Sequence, residues 1–264
     1  ADKIARELGI AADAPERLRA GLRHALGGFS DDGHCFAERE ALLTAAVELL
    51  EVDREACAAQ LDVLLRMEEL LLDEEAIYLP PFFYAEQGVA NKIHQLLTHP
   101  RDRLALFQQL DWESAFAWLD GRNAFTLALQ QREGVRMALT EKVSVLTGGP
   151  GTGKTTTMRT LIRCLEAFEI SYALCATTGR ASKQLADTAE RPAATVHRHL
   201  GIGFGPEAQE AQPVRETVLV IDEASMIDLW LMDEIVSRLA PHTHLFLVGD
   251  VDQLPPVGPG AVLQ

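Results

Sequence analysis

From Ala14 to Leu110 apolar residues recur three and four positions apart, the repeat of a single helix face. The spacing predicts helices over Ala14–Leu26, Ala37–Leu50 and Asp53–Leu70. Asp53 stands where an N-cap is wanted, and Ala56, Leu61, Leu64 and Leu65 supply the buried stripe behind it. Leu70–Leu72 and Ala76–Leu79 flank an acidic tip, Asp73-Glu74-Glu75, and read as a hairpin that Pro80-Pro81 stops. Helices followed by a small hairpin is the order of a winged-helix unit, which either lies on DNA or packs against a neighbouring domain. Packing is favoured, because acids outnumber Arg54 and Arg66 between Asp53 and Glu69. Two more helices are expected over Ala85–Leu97 and Arg101–Leu110, separated by His99-Pro100. Trp112, Phe116 and Trp118 read as core or domain-interface anchors.

From Ala124 the texture changes. Val143–Thr147, Ser171–Ala176, Val218–Asp222 and His244–Gly249 are continuous apolar runs, as expected of parallel strands covered on both faces. Helices over Lys154–Phe168, Arg180–Thr188 and Leu229–Leu239 separate them, so the pattern is a doubly wound α/β sheet. Ile202–Glu216, with frequent Gly, Pro and Gln, reads as a surface connection. The expected division is a mainly helical accessory domain over 1–112 and an α/β domain over 113–264.

With 47% hydrophobic and 24% charged residues in 264, the chain is neither disordered nor fibrous. Apolar runs stop well short of the roughly 18 residues of a membrane span, and the first thirty residues are charged throughout, unlike a secretory leader. The expectation is a soluble cytoplasmic protein with no membrane partner. Cys35, Cys57, Cys164 and Cys175 are too scattered for a zinc site and read as reduced core thiols. The net charge is -15, and residues 1–120 hold 23 acids against 11 bases. Such a field disfavours a polyanion, so any nucleic-acid contact must use a local patch or backbone amides and hydroxyls.

One string changes the picture. Gly148-Gly149-Pro150-Gly151-Thr152-Gly153-Lys154-Thr155 satisfies G-x-x-x-x-G-K-[ST] between a predicted strand and a predicted helix. Its glycines let backbone N–H groups of residues such as Gly149, Gly151, Thr152 and Gly153 converge on phosphates, with Thr156 in the same first helical turn. Lys154 adds a point charge and Thr155 a hydroxyl for Mg²⁺. After the apolar strand Val218-Leu219-Val220-Ile221, Asp222 would hold the metal through its water shell and Glu223 would polarise an attacking water. Gln253, past the strand ending at Gly249, can reach the terminal phosphate and report its presence. Together these define a Mg²⁺-using nucleoside-triphosphatase, with Lys154, Glu223 and Gln253 as its catalytic set.

These segments resemble the superfamily 1 helicases, specifically the RecD-like branch. Gly148–Thr155 is similar to motif I, Asp222-Glu223-Ala224-Ser225 to motif II and Gly249–Val257 to motif III. Gln131-Arg132-Glu133-Gly134-Val135 resembles the adenine-reading Q motif, Ala176–Ser182 motif Ia, and Thr195-Val196-His197-Arg198 the next DNA-facing segment. The N-terminal region, with Leu79-Pro80-Pro81, is similar to the accessory domain of the longer, stand-alone RecD-like proteins. The resemblance implies a RecA-like P-loop sheet flanked by helices, preceded by a mainly helical domain carrying a winged-helix hairpin. It also implies an ATP-driven DNA helicase of recombination or repair that moves 5′ to 3′ on single-stranded DNA, with duplex or fork DNA as further partners of the full-length protein. Thr177, Thr178 and the Gly179 amide would take phosphate oxygens without net charge, Arg180 would add one cation, and His197 is either a DNA contact or a hinge. The family usually has Lys where Arg180 stands. In the family, helix-hairpin-helix repeats precede a segment like Ala1-Asp2-Lys3-Ile4-Ala5, and a second motor domain supplies an arginine finger worth about three to five orders of magnitude in turnover. The expectation is therefore a fragment ending at Gln264 that hydrolyses ATP slowly. Two other classes remain open: a different P-loop phosphotransferase, for which Ile202–Glu216 offers only Arg215 as an acceptor lid, and a nucleotide-switched interaction module whose acidic N-terminal domain binds a protein.

Overall fold

The computed structural model describes residues 9–121, 126–203 and 213–263. Ala1–Ala5, residues 204–212 of the expected surface connection, Ala124 and Gln264 lie outside the described residues. Two compact units are present. The first takes residues 1–88, 228–230 and 256–261, and the second the remainder, so the division at Gly88 falls upstream of the expected boundary at 112.

In the first unit α1 (Pro15–Asp31), β1 (Phe36–Glu38), α2 (Arg39–Leu50), α3 (Arg54–Arg66), β2 (Leu71–Asp73) and β3 (Ala76–Tyr78) follow one another. The antiparallel sheet has the order β1-β3-β2, with Tyr78 paired to Phe36 on one side and Leu71 on the other. This is the winged-helix arrangement, and β1 is the strand that the helical spacing concealed. Leu22, Leu42, Ala46, Leu61, Leu64 and Ile77 fill its core. Asp53 occupies the N-cap position of α3 but makes no side-chain cap bond. Several cations of this unit are held by acids, Arg54 by Glu40, Arg39 by Asp62 and Arg23 by Glu69, which leaves Arg66 as the exposed cation of α3 without a carboxylate among the described residues. That pairing leaves α3 poorly equipped to meet phosphate.

Pro80-Pro81 opens α4 (Pro80–Thr98) instead of stopping the hairpin. A proline at the first helical position gives up an N–H that has no partner there in any case. In the second unit the helix expected over Arg101–Leu110 is only a 3₁₀ turn, Ala105–Gln109. Asp102 Oδ1 accepts the Leu104 N–H at 2.7 Å, a local bond that competes with helix formation, and the buried pair Leu104 and Phe107 is spaced by three. Helices α5 (Trp112–Asp120) and α6 (Leu129–Thr140) follow. Phe116 is buried and Trp112 partly so, whereas Trp118 is 53% exposed and is not a core anchor.

The sheet of this unit comprises β4 (Val143–Thr147), β5 (Tyr172–Ala176), β6 (Ala194–Thr195), β7 (Val218–Asp222) and β8 (His244–Gly249), all parallel, in the order β4-β8-β7-β5-β6. Helices α7 (Lys154–Ala167), α8 (Gly179–Ala189), α9 (Val196–Leu200) and α10 (Leu229–Arg238) run between strands. Along β7, Val218 and Val220 join a core with Leu139, Leu161 and Leu185 on one face, while Leu219 and Ile221 join Met232 and Ile235 on the other. Alternate residues thus enter two cores, which is why the run is apolar throughout. Cys57, Cys164 and Cys175 are buried, Cys35 is only partly so, and none is in a disulfide. Among the described residues no helix is long and apolar enough to cross a membrane.

Candidate nucleotide and DNA site

Strand order decides which loops meet. β8 lies between β4 and β7, with Thr147 in register with Gly249, and β7 runs beside β5, with Asp222 in register with Ala176. The loops after β4, β5, β7 and β8 therefore share the carboxyl edge of one sheet, the edge where ligands bind in such folds.

After β4 the chain curls through Gly151 (φ 78°) and Gly153 (φ 88°), left-handed values that a side chain resists, and α7 begins at Lys154. The Lys154 ammonium donates to the Gly148 and Gly149 carbonyls, the latter at 3.2 Å. The Thr152 hydroxyl donates to the Gly149 carbonyl at 2.8 Å. Gly149, Gly151 and Pro150 face open space, and Thr155 stands exposed on the first turn, its hydroxyl without a protein partner among the described residues. Thr156 is half-buried and accepts through its carbonyl from Thr160 at 3.0 Å.

Gln131 links α6 to this loop. Its Oε1 accepts the Ala128 N–H at 2.9 Å and its Nε2 donates to the Thr152 carbonyl at 3.3 Å. A Cβ placed on Gly153 would lie 2.1 Å from that Nε2, so the carboxamide sits directly on the loop backbone.

At the end of β7, burial raises Asp222 above the ordinary carboxylate value; the Glu223 N–H, which it accepts at 2.9 Å, opposes this, the Glu223 charge adds to it and Lys154 again opposes it. Lys154 and Asp222 thus feel one another across β8. Glu223 is held at φ 54°, ψ 38°, a left-handed conformation uncommon for a side chain of its size. Its carbonyl accepts from the Thr177 hydroxyl at 3.4 Å.

Gln253 is exposed on the loop after β8, where its N–H donates to the Asp250 carbonyl at 3.1 Å; among the described residues its side chain contacts neither Lys154 nor Glu223. Gly249 and Asp250, the first two residues of the string similar to motif III, shape that loop. Asp250, 2% exposed, accepts the Asp252 N–H at 3.1 Å, and Gly249 leaves room for the Ser225 N–H, which a Cβ would approach to 3.0 Å. The available signal was the Gly-Asp pair at a strand end, a turn former by its own side chain.

The segment after β5 places Thr178 as the N-cap of α8, accepting from Ala181 N–H at 3.2 Å, so the cap is Thr178 and Gly179 opens the helix. Gly179 and Arg180 are exposed. Thr195 caps α9 in the same way, leaving His197 exposed on that short helix, its carbonyl accepting from Ile202 at 2.8 Å. Arg180, Lys183 and Arg198 are exposed and hold no acid among the described residues.

The donor set fits a triphosphate with its magnesium. Among the described residues no group of three or more His, Cys, Asp or Glu is arranged to hold a metal alone. Thr155 and Asp222 would supply two oxygens, and Mg²⁺ ordinarily completes its octahedron with phosphate oxygens and water.

Residues 131–259 match a family described as an AAA domain, and residues 1–36 match the helix-hairpin-helix (HHH) domain of the ATP-dependent RecD2 DNA helicases. The ATP-dependent RecD2 DNA helicase of Deinococcus radiodurans is 32% identical over 281 residues, taking in 100% of this chain and 38% of that protein. The chain belongs to the RecD-like superfamily 1 helicases. The RecBCD enzyme subunit RecD of Mycobacterium tuberculosis is 34% identical over 219 residues, covering 73% of the RecD-like chain and 36% of its own length. A Pif1 helicase structure from Candida albicans overlaps 50% of the chain at 24% identity and a TM-score of 0.36, too distant to inform the site. The RecD-like chain therefore spans little more than a third of these curated relatives. The match over 1–36 corrects one expectation: the helix-hairpin-helix region does not end before Ala1 but reaches into the described α1 and β1.

Proposed function

We propose that this chain carries the nucleotide-hydrolysing part of a cytoplasmic DNA helicase, a motor that moves 5′ to 3′ on single-stranded DNA and acts in recombination or repair. The observation that carries the reading is the meeting of the glycine loop, Lys154, Asp222 and Glu223 at one sheet edge, with Thr177 of the next loop bonded to Glu223. ATP would lie on the amides of residues 149–156, with Lys154 at its terminal phosphates and Gln131 beside the base. Thr155 and Asp222 would hold Mg²⁺, which when bound neutralises phosphate charge. Glu223 orients a water and accepts its proton, while Gln253 swings in to meet the terminal phosphate. Thr177, Thr178, the Gly179 amide, Arg180 and His197 would carry the DNA strand, with phosphate contacts that position without reading sequence. Duplex or fork DNA, and a protein bound to the acidic first unit, are further partners of the same proposal. On this proposal residues 1–112 serve as accessory region and 113–264 as motor, a functional boundary downstream of the division of compact units at Gly88.

The test is nucleotide binding and DNA-stimulated ATPase in the full-length protein. Lys154→Ala should abolish both, whereas Glu223→Gln should keep nucleotide binding and lose turnover. Full turnover in the Glu223→Gln protein removes that residue as the base, and phosphorylation of a small acceptor in place of water reassigns the site to a phosphotransferase.

A further inference from the structure

A second gathering of cations lies in the same unit at the opposite edge of the sheet. From Gln87 to Leu110 the chain carries a single acid, Asp102, although the surrounding 120 residues are strongly acidic. That acid is turned inward: its Oδ1 accepts the Leu104 N–H at 2.7 Å, lies 2.8 Å from His244 Nε2 and 3.8 Å from Lys142 Nζ. Lys142 in turn donates to the Arg101 carbonyl at 2.7 Å, which fixes the connection after α4 against the start of β4. Glu141, the other nearby acid, directs its carboxylate to the Thr140 hydroxyl at 3.2 Å.

What remains on the surface is positive. Arg101 and Arg103 are exposed, Lys92 is half-buried, and none of the three meets a carboxylate among the described residues. Arg23, Arg54, Arg132 and Arg191 each hold one, whereas Arg180, Lys183 and Arg198, on the β5–α9 side of the sheet, hold none among the described residues. The His99 Nδ1 accepts the Arg101 N–H at 3.1 Å, so that ring's proton is on Nε2, another donor. His242 Nε2 is buried without a partner among the described residues; burial and then the charges of Arg103, Arg101, Lys142 and His99 hold that ring below the ordinary imidazole value. Three positive groups, Arg103, Arg101 and Lys142, therefore lie around one ring. Beside them an open hollow of about 410 Å³ is walled by Lys92, Leu96, His99, Pro100 and Pro241. β4 separates this face from the glycine loop by its whole length, roughly 15 Å for five residues.

We propose that Lys92, His99, Arg101 and Arg103 form a second phosphate-binding surface, one that grips the phosphodiester backbone of DNA at a distance from the strand carried by the β5–α8 segment. Three cations without a carboxylate partner among the described residues, beside the His99 Nε2 donor, suit a ligand that offers acceptors and negative charge together in a chain of net charge -15. The choice of DNA over an acidic protein rests on the motor reading above.

The experiment is fluorescence anisotropy of labelled single-stranded and duplex oligonucleotides across a salt series, with intact wild-type protein, Arg101→Gln/Arg103→Gln and Arg180→Gln. The double variant should bind one of these DNAs about tenfold or more weakly at low salt, and the slope of log affinity against log salt should fall by about two. Lys92→Gln should lower that slope by about one, and Arg101→Lys/Arg103→Lys should restore it. Binding of a fluorescent ATP analogue should be unchanged in the Lys92, Arg101 and Arg103 variants. Unaltered DNA affinity and slope in the double variant overturn the proposal, as does wild-type protein that binds neither oligonucleotide. Binding of poly-glutamate that needs Arg101 and Arg103, with DNA binding unaffected, reassigns the face to an acidic protein and also overturns it. Wild-type protein that fails to bind the ATP analogue refutes the motor reading instead.

Discussion

Adding one methyl group at Gly153 tests how the glycine loop is held. Gly153 has φ 88°, and its missing Cβ would lie 2.1 Å from Gln131 Nε2. An alanine in left-handed backbone costs about 1–2 kcal/mol. The Gln131 carboxamide cannot simply swing away, because Oε1 is tied to the Ala128 N–H and Nε2 to the Thr152 carbonyl; expelling it gives up about 1 kcal/mol of hydrogen bonding. In the free variant the loop relieves this strain by leaving the observed conformation and must restore it to take phosphate, so Gly153→Ala should weaken nucleotide binding by about 2–3 kcal/mol, roughly 30- to 150-fold in Kd. A titration with a fluorescent ATP analogue measures this, with circular dichroism to show that the fold survives. In a Gln131→Ala background the same change should cost only the backbone part, a coupling of about 1 kcal/mol in the double-mutant cycle. Wild-type affinity in Gly153→Ala would refute the strain argument. An identical penalty in both backgrounds would refute the part given to Gln131.

Two further outcomes follow from the same geometry. Asp222 is raised by burial, so the folded state binds its proton more readily than the unfolded chain, and stability falls as pH rises from the unfolded pKa through the folded one. Asp222→Asn should then raise Tm of the nucleotide-free protein at neutral pH, by about 2–4 °C per kcal/mol relieved, while removing the Mg²⁺ dependence of nucleotide binding; a lower Tm would contradict the assignment. In the first unit, a Cβ on Gly21 would fall 2.5–2.8 Å from three side-chain atoms of buried Leu50. Despite its better helix propensity, Gly21→Ala should destabilise by about 1–3 kcal/mol in urea unfolding, and a stabilised variant would show that α1 and α2 can part cheaply.

The parts of the fold legible in the amino-acid order are those where one residue pattern serves one environment. β4, β7 and β8 begin and end where their apolar runs do, because strands covered on both faces need no polar alternation. β1 escaped notice because Phe36-Ala37-Glu38 is too short to show a period and leads straight into a helical one. β6 is shorter still, two residues recruited by pairing with Cys175 and Ala176. Pro80-Pro81 was read as a stop where it is a start, an ambiguity that proline's missing N–H makes inherent. At the site, the loop residues were identifiable from their spacing. The hydrogen bond from Thr177 to Glu223 was not, since it depends on β5 and β7 being neighbours, a long-range pairing with no local trace.

Because β8 follows β4, β5 and β7 along the chain yet lies between β4 and β7, those two share no backbone hydrogen bond until it arrives. A nascent chain still lacking His244–Gly249 carries its glycine loop and Asp222 on separate pieces of unfinished sheet. Bringing the two loops to one edge thereby waits on His244–Gly249, and joining Thr147 to Gly249 is a closure spanning about a hundred residues, the long-range kind of pairing that slows folding.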